Sequence, residues 1–157
     1  MMNEIYVKIG EVKVGHKGDI LKATLGSCIG IAFIWKKKQI YGLAHCLLPE
    51  THENTFLIGA KFVNQAIKSL IALLKIKEES YPELEVHIAG GGNMMGDIVR
   101  KEGTHIGSLN IEAVRKYLKE YKLKIKSEDL GGLSSRQIIL DCSKETIQVI
   151  TLSKDSK

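Results

Sequence analysis

The sequence predicts an α+β fold with roughly eight or nine strands and two main helices. Three observations predict it: a first half made of short extended segments, one strongly amphipathic helical pattern in the middle, and short strands after a second helix. Strands and helices do not alternate regularly, which disfavours a βαβ fold. The 157 residues, 44% hydrophobic and 26% charged, are enough for one ordinary core and exclude general disorder. We therefore expect a single domain over residues 1–157.

The first half of the chain is predicted to consist of strands. They are expected over residues 5–7, 11–14, 19–25, 29–35 and 40–46. The fourth of these segments is apolar throughout, which is typical of a strand buried on both faces. The polar residues 36–39 turn the chain, so the fourth and fifth strands are expected to pair as a hairpin. A polar loop follows over residues 50–55.

The second half is predicted to hold both helices. Apolar residues at three- and four-residue spacing predict the first helix, and the side chain of Asn110 is suited to cap the second. Pro82 separates the first helix from the strand that follows it, which leads into a glycine-rich loop. The expected elements are a helix over 56–76, a strand over 84–89, a helix over 111–121 and strands over 123–125, 137–141 and 146–152, with a turn at Gly131 and Gly132.

Charge and composition exclude several classes of function. The net charge of +5 comes from lysines interleaved with acids, only three residues are arginine, and aromatic residues make up 6%. A surface that binds nucleic acid clusters Arg and Lys with aromatic residues or a known motif, so we expect no nucleic-acid partner. Anionic protein partners fit the charge equally well. No apolar run approaches the ~20 residues that span a bilayer, and the first residues lack a signal-peptide pattern, so we expect a cytoplasmic protein without membrane insertion.

The clearest candidate for chemistry is the motif Gly-Ser-Cys-Ile-Gly over residues 26–30. It places a thiol between glycines where a turn meets a buried strand, so a substrate can approach closely and backbone N–H groups are left to face an oxyanion. A lone cysteine of this kind is more often a core residue. His45 favours the functional interpretation, because it lies on the strand predicted to pair with the strand that Cys28 opens. A thiol nucleophile needs such an imidazole to take its proton.

The remaining cysteines and histidines favour no competing site. Three cysteines without CxxC spacing disfavour both a disulfide framework and a zinc site. Cys46 follows His45 on the same strand and is expected to face the opposite side, into the packing. Cys142 is expected in the core. The other histidines show no metal-ligand spacing: His16, His52, His87 and His105.

Two further motifs are excluded by their context. The pattern G-x-C-x-G also resembles the nucleophile elbow of α/β-hydrolases, but that motif needs a helix after it, and an apolar strand follows here. Gly91 and Gly96 have the spacing of a phosphate loop, but Asp97 and Ile98 replace its Lys-Ser/Thr pair. We expect this glycine-rich loop to permit close backbone packing beside a site.

Short motifs spread over nearly the whole chain match one known family in order. They are TLGSC over 24–28, GLAH over 42–45 followed by LP at 48–49, KF at 61–62, AGGGNM over 89–94, IG at 106–107, NIEAV over 110–114, and EDLGG over 128–132 with Arg136. In these motifs the chain resembles the CheD family, the chemoreceptor glutamine deamidases of bacterial and archaeal chemotaxis.

The resemblance implies an amidohydrolase with papain-like chemistry, which requires no cofactor and no metal. It also implies a two-sheet α+β scaffold, in which two mixed β-sheets form a sandwich-like core flanked by the two main helices. By position, Cys28 is the nucleophile and His45 the general base and acid. The family's third active-site residue is a threonine upstream of the cysteine. One common arrangement puts it where Lys22 stands, so the role is assigned to Thr24, the only nearby hydroxyl upstream of Ser27. Candidates for the oxyanion site and the substrate loop are Gly26, Ser27, Gly91, Gly92 and Asn93.

The implied reaction converts glutamines in the cytoplasmic part of a chemoreceptor to glutamate, through attack by a Cys28 thiolate and a thioester. The resemblance also implies a partner, a CheC-type phosphatase of the response regulator CheY. A regulatory binding partner with little or no catalysis is therefore the alternative, which the presence of both Cys28 and His45 disfavours. A thiol hydrolase or transglutaminase acting on other amides can use the same pair and is a third alternative.

Overall fold

The computed structural model describes residues 2–94 and 105–152. In these ranges the elements are β1 Asn3–Tyr6, β2 Val12–Gly15, β3 Asp19–Leu25, β4 Ile29–Trp35, β5 Ile40–Cys46, α1 Val63–Leu73, a 3₁₀ helix Glu78–Glu83, β6 Glu85–Gly90, α2 Ile106–Glu120, β7 Ile125–Leu130, β8 Arg136–Asp141 and β9 Thr146–Thr151. The structure does not describe residues 96–98, which belong to the pattern compared above with a phosphate loop: Gly96, Asp97 and Ile98. No helix in the described part of the chain is both long and apolar enough to cross a bilayer.

The strands form two mixed sheets, which confirms the predicted fold class. A four-stranded sheet has the order β1-β3-β8-β9 and a five-stranded sheet the order β2-β5-β4-β6-β7. β1 runs parallel to β3, and β6 runs parallel to β7, while the other pairs are antiparallel. The predicted β4–β5 hairpin is present, with Trp35 paired to Ile40 at its turn.

Two apolar layers hold these elements together. The inter-sheet layer takes one face of β3, β8, β4 and β5, including Leu21, Leu25, Ala32, Leu43 and Ile138. The helix layer lies between the other face of the five-stranded sheet and both helices, and it includes Ile31, Phe33, Ile67, Leu70 and Val114. Because β4 belongs to both layers, all seven of its residues are buried, as its continuous apolar run predicts.

The first helix begins at Val63, later than the expected start at residue 56. The N–H groups of Leu47 and Leu48 both donate to the carbonyl oxygen of Lys61, at 3.1 and 2.9 Å. Phe62 pairs with Leu48 as an isolated parallel bridge and has an extended backbone. The chain leaving β5 therefore holds residues 61–62 extended, and helical apolar spacing alone does not reveal this tertiary contact.

The second helix begins at Ile106, earlier than the expected start at residue 111. Its N-cap is His105, whose Nδ1 accepts a hydrogen bond from the Ser108 N–H at 3.3 Å. The sequence-based assignment of Asn110 as the N-cap is wrong, because Asn110 lies inside the helix and is fully buried. The strand expected over 123–125 also begins later, at Ile125, and Leu123 is a buried core residue instead.

Candidate active site

Cys28 lies in the short connection that carries the chain from one sheet to the other. Residues 26–28 join β3 of the four-stranded sheet to β4 of the five-stranded sheet. The Cys28 side chain belongs to the inter-sheet layer and is 7% exposed. Burial raises the pKa of its thiol above the ordinary value of 9.0. Burial at this position therefore favours the neutral thiol over the thiolate.

The triple-glycine backbone packs directly against this connection. The Gly91 N–H donates to the carbonyl oxygen of Cys28 and the Gly92 N–H donates to that of Gly26, both at 2.9 Å. Gly90 has φ +113°, and a Cβ on it would lie 2.1 Å from the Cys28 carbonyl oxygen. Only glycine allows the two backbones to come this close. The prediction that the loop permits close packing beside a site is consistent with these contacts.

These contacts separate the five candidate oxyanion and loop residues into two groups. The N–H groups of Gly91 and Gly92 already have carbonyl acceptors, and the Asn93 N–H donates to the Gly132 carbonyl oxygen at 2.9 Å. They support the loop, and their backbone donors are not available to an oxyanion. The amides of Ser27 and Cys28 have no hydrogen-bond acceptor within residues 2–94 and 105–152. Of the candidates, the connection that includes Gly26 and Ser27 therefore retains unused donors next to the thiol.

The β4–β5 register brings His45 to the same face as Cys28. His45 is paired directly with Gly30, two residues after Cys28. Side chains at alternate positions of a strand share a face, so His45 and Cys28 are diagonal cross-strand neighbours on the inter-sheet side. Gly30 itself has no side chain, and those of Leu25 and Ile138 reach the space above it, 3.0 and 3.3 Å from where a Cβ would lie. Cys46, fully buried, belongs to the helix layer instead, which confirms the expectation that it faces away from the site.

A backbone carbonyl orients the imidazole of His45. Its Nδ1 lies 2.9 Å from the carbonyl oxygen of Val7. Since a carbonyl oxygen only accepts, Nδ1 carries the hydrogen and Nε2 holds the free lone pair. His45 is 4% exposed, and Nε2 has no hydrogen-bond partner among the residues described. Burial lowers the pKa of His45, although the Val7 bond and Glu11 act in the other direction, so Nε2 is an unprotonated base at neutral pH.

The segment that carries Val7 wraps around His45. The Val7 N–H donates to the Lys22 carbonyl oxygen at 2.7 Å, which fixes the segment on β3. The Gly10 N–H donates to the His45 carbonyl oxygen at 2.8 Å, and the His45 N–H donates to that of Glu11 at 3.0 Å. Sequence reasoning missed Val7, because a backbone acceptor leaves no signal in the identity of its side chain.

The structure does not bring Thr24 to this pair. Residues Leu21 and Leu25 of β3 point into the inter-sheet layer, so the alternation of the strand turns Thr24 outward, where it is exposed. Lys22, on the same outer face, forms an ion pair with Glu4 at 3.2 Å. Thr24 therefore lies away from the inter-sheet layer that holds Cys28, and the contact made by the His45 imidazole is with the Val7 carbonyl oxygen.

Asn110 is a second residue that sequence reasoning placed wrongly. Its Nδ2 donates to the carbonyl oxygens of Ser27, at 2.9 Å, and Leu47, at 3.1 Å. Both acceptors are next to the site, one just before Cys28 and the other just after β5. A buried Asn in a helix pattern could have been noticed as unusual, but its partners are distant in sequence. Among the described residues, no three His, Cys, Asp or Glu side chains lie together as metal ligands would.

Comparison with known proteins identifies the family. The family model described as CheD chemotactic sensory transduction matches residues 47–151. A protein of Ruegeria sp. named "Probable chemoreceptor glutamine deamidase CheD 2" is 37% identical, over 90% of this chain and 88% of that protein.

The chain belongs to the CheD family.

Other CheD relatives come from distant organisms. The "Probable chemoreceptor glutamine deamidase CheD" of Archaeoglobus fulgidus is 36% identical over 88% of this chain and 87% of its own length. A protein of the same name from Bdellovibrio bacteriovorus is 34% identical over 82% and 83%. The family model begins after Cys28 and His45, whereas the Ruegeria alignment leaves out only a tenth of the chain.

Proposed function

We propose that this chain is a single-domain protein-glutamine deamidase that acts on chemoreceptors, with Cys28 as nucleophile and His45 as general base and acid. The names of its CheD relatives support the substrate and the reaction class. One observation carries the assignment of residues: the Val7 carbonyl fixes the His45 tautomer, leaving a buried, unpartnered Nε2 on the face that Cys28 shares. No hydrogen bond joins Nε2 to the Cys28 thiol in the resting structure; an unpaired buried nitrogen is costly, and accepting the thiol proton during the reaction would satisfy it.

The reaction starts from a neutral thiol and a neutral imidazole. Burial raises the pKa of Cys28 and lowers that of His45, and both shifts oppose a resting thiolate–imidazolium pair. The proton therefore passes from Sγ to Nε2 as the sulfur attacks the side-chain carbonyl carbon of glutamine. This refines the thiolate attack that the sequence implies, since the thiolate forms only as the new bond does.

The following steps use the same two residues. The tetrahedral intermediate carries its negative charge on the former amide oxygen, which the N–H groups of Ser27 and Cys28 stabilise. The His45 imidazolium gives its proton to the departing nitrogen, so ammonia leaves and a thioester remains. Nε2 then takes a proton from water, whose oxygen attacks the thioester. Collapse releases the glutamate side chain and returns the proton to Cys28, and no group other than water is consumed.

Met94 lies beside the connection that carries Cys28. The Met94 Cγ and Sδ lie 3.2 Å from the position that a Cβ on Gly26 would take, and Met94 is 44% exposed. Cys28 is only 7% exposed, so a glutamine carboxamide needs a local movement to reach the thiol, and the flexible Met94 side chain is next to this connection. The substrate is the cytoplasmic part of a chemoreceptor, which places the reaction in the cytoplasm.

A regulatory partner of a CheC-type phosphatase is the second candidate function. The observation that favours it is the burial of Cys28, which is only 7% exposed; burial also raises the pKa of its thiol, and a covered, neutral thiol is a slow nucleophile. In that case the protein binds its partner with or without turnover, and Cys28 substitutions leave binding unchanged.

Peptide mass spectrometry of a chemoreceptor's cytoplasmic fragment tests the proposal. The fragment is incubated with the wild type, with Cys28→Ala, and with Cys142→Ala, which removes another buried thiol of the inter-sheet layer. We expect glutamine-to-glutamate conversion at discrete sites with the wild type and Cys142→Ala, and none with folded Cys28→Ala. Normal turnover by Cys28→Ala would refute the nucleophile, and inactive folded wild type would move the assignment to the regulatory partner.

A further inference from the structure

The amide of Asn110 connects the two strands that carry the candidate reacting groups. Asn110 lies on α2 and is 0% exposed. One Nδ2 hydrogen goes to the carbonyl oxygen of Ser27, at 2.9 Å, and the other to that of Leu47, at 3.1 Å. Ser27 precedes Cys28, and Leu47 is two residues beyond His45.

The position of this bridge is the open end of the β4–β5 hairpin. The ladder between these strands ends at the pair Ile29 and Cys46. Beyond that pair the chains separate, since Leu47 donates its N–H to Lys61 while the Cys28 carbonyl accepts from Gly91. The Asn110 side chain therefore supplies the next cross-strand link, at the level of Cys28 itself.

Asparagine suits this link chemically. A primary amide offers two N–H donors on one nitrogen, whereas an ionised Asp offers none and Leu, of similar shape, offers none. The Oδ1 of Asn110 has no hydrogen-bond partner among the described residues. The two hydrogen bonds of its Nδ2 are therefore the only ones that this amide makes within the part of the chain that the structure describes. Because Asn is a weaker helix former than most residues, helix propensity does not explain why Asn occupies this position in α2.

We propose that Asn110 is a positioning residue, which sets the separation of Cys28 and His45 by linking the carbonyls of Ser27 and Leu47. This inference rests on the proposed deamidase function. Asn110 touches no reacting atom. It acts through the backbone on either side of the pair, and a small displacement of reacting groups is enough to slow a reaction strongly.

Kinetics of Asn110→Leu provide the test, with Ser69→Ala as the matched control. Ser69 is also a fully buried polar residue of a helix, and its Oγ bonds both the N–H and the carbonyl of Gly59, at 2.9 and 2.7 Å, away from the site. We expect kcat for glutamine conversion to fall about 10- to 100-fold in folded Asn110→Leu. KM should stay within about twofold of the wild type, because the substrate surface is untouched. Ser69→Ala should keep its kcat, and a kcat of folded Asn110→Leu equal to that of Ser69→Ala would overturn the proposal.

A second measurement keeps this inference separate from the proposed function. The ¹⁵N shift of His45 Nε2 is recorded with and without Cys28→Ala, in the wild-type and the Asn110→Leu backgrounds. In the wild-type background we expect Cys28→Ala to change the ¹⁵N shift of His45 Nε2. In the Asn110→Leu background the same substitution should have little effect on that shift, because the thiol and the imidazole are then no longer held together. An equal change in both backgrounds would refute the positioning role even if the protein deamidates nothing. If Asn110→Leu does not fold, Asn110→Ser, which keeps one donor, takes its place in both measurements.

Discussion

The Nδ1 of His45 and the carbonyl oxygen of Val7 lie 2.9 Å apart, so a backbone group, and not an acidic side chain, orients the candidate catalytic histidine. A carbonyl fixes the tautomer as a carboxylate does, but it carries no full charge. It therefore compensates less for the burial of His45, and the pKa of the imidazole stays below its ordinary range. The resting site is neutral as a consequence.

Deamidase activity is expected to fall on acidification only at pH values below the ordinary pKa of histidine. The folded protein holds the pKa of His45 below 6.5, so Nε2 stays unprotonated at neutral pH and the acid limb of kcat/KM lies below pH 6.5. The measurement is kcat/KM as a function of pH. An acid limb above pH 6.5 would contradict a neutral resting histidine.

The free energy of unfolding is also expected to depend on pH through the imidazole of His45. Because its folded pKa is depressed, the contribution of buried His45 is present above 6.5 and is lost as pH falls through the folded value. The free energy of unfolding at about pH 7.5 and about pH 5.5 should differ less in His45→Gln than in the wild type. His52→Gln is the control, since that side chain is 79% exposed, and it should leave the difference unchanged.

Alkylation of Cys28 by iodoacetamide is expected to be slow at neutral pH. Burial raises the pKa of this thiol above 9.0, and only the thiolate reacts, so the rate should rise steeply above pH 9. Mass spectrometry of the adducts separates the three cysteines. Cys142, whose pKa is raised to about 12, should react later still and serves as the internal control. Rapid selective modification of Cys28 at pH 7 would instead reveal a preformed thiolate pair.

Gly90→Ala is expected to destabilise the protein strongly. The new Cβ would lie 2.1 Å from the Cys28 carbonyl oxygen at a residue with φ +113°, which combines backbone strain with a clash between main chains, at a cost of about 3 kcal/mol or more. Gly10→Ala is the control, because Gly10 has φ +85° but nothing within 4 Å of an added Cβ. It should cost about 1 kcal/mol. Denaturant unfolding measures both, and equal costs would show that the close approach to Cys28 is unimportant.

The sequence predicts the hairpin that carries the site more accurately than the helices. The runs 29–35 and 40–46 match β4 and β5, because continuous apolar residues and a polar turn are local signals. The helix starts were wrong where tertiary contacts act: the Lys61 carbonyl is tied to the chain after β5, and Asn110 faces distant carbonyls instead of its own helix end. Local propensity describes neither contact.

The residues of the candidate site also differ in how well the sequence predicts them. Cys28 and His45 follow from residue chemistry and the hairpin register, both visible in the sequence. Val7 contacts His45 through its backbone carbonyl, which the sequence does not mark, and the hydroxyl of Thr24 does not reveal on which face of β3 the residue lies. Which face of a strand points into the core depends on how the two sheets pack against each other. That packing exists only once both sheets have formed, so the sequence of one strand does not reveal it.

Cys28 lies between the two sheets, whereas His45 belongs to one of them. Residues 26–28 cross the gap between the sheets, so a shift of one sheet over the other strains the backbone next to the thiol, while the β4–β5 pairing and Asn110 hold Cys28 on the His45 side. Leu25 and Ile138 both reach the space above Gly30, at 3.0 and 3.3 Å from where a Cβ would be, and so act as spacers between the sheets at the level of the site. We therefore expect a change in the size of either side chain to disturb the geometry of the site as well as the packing of the core.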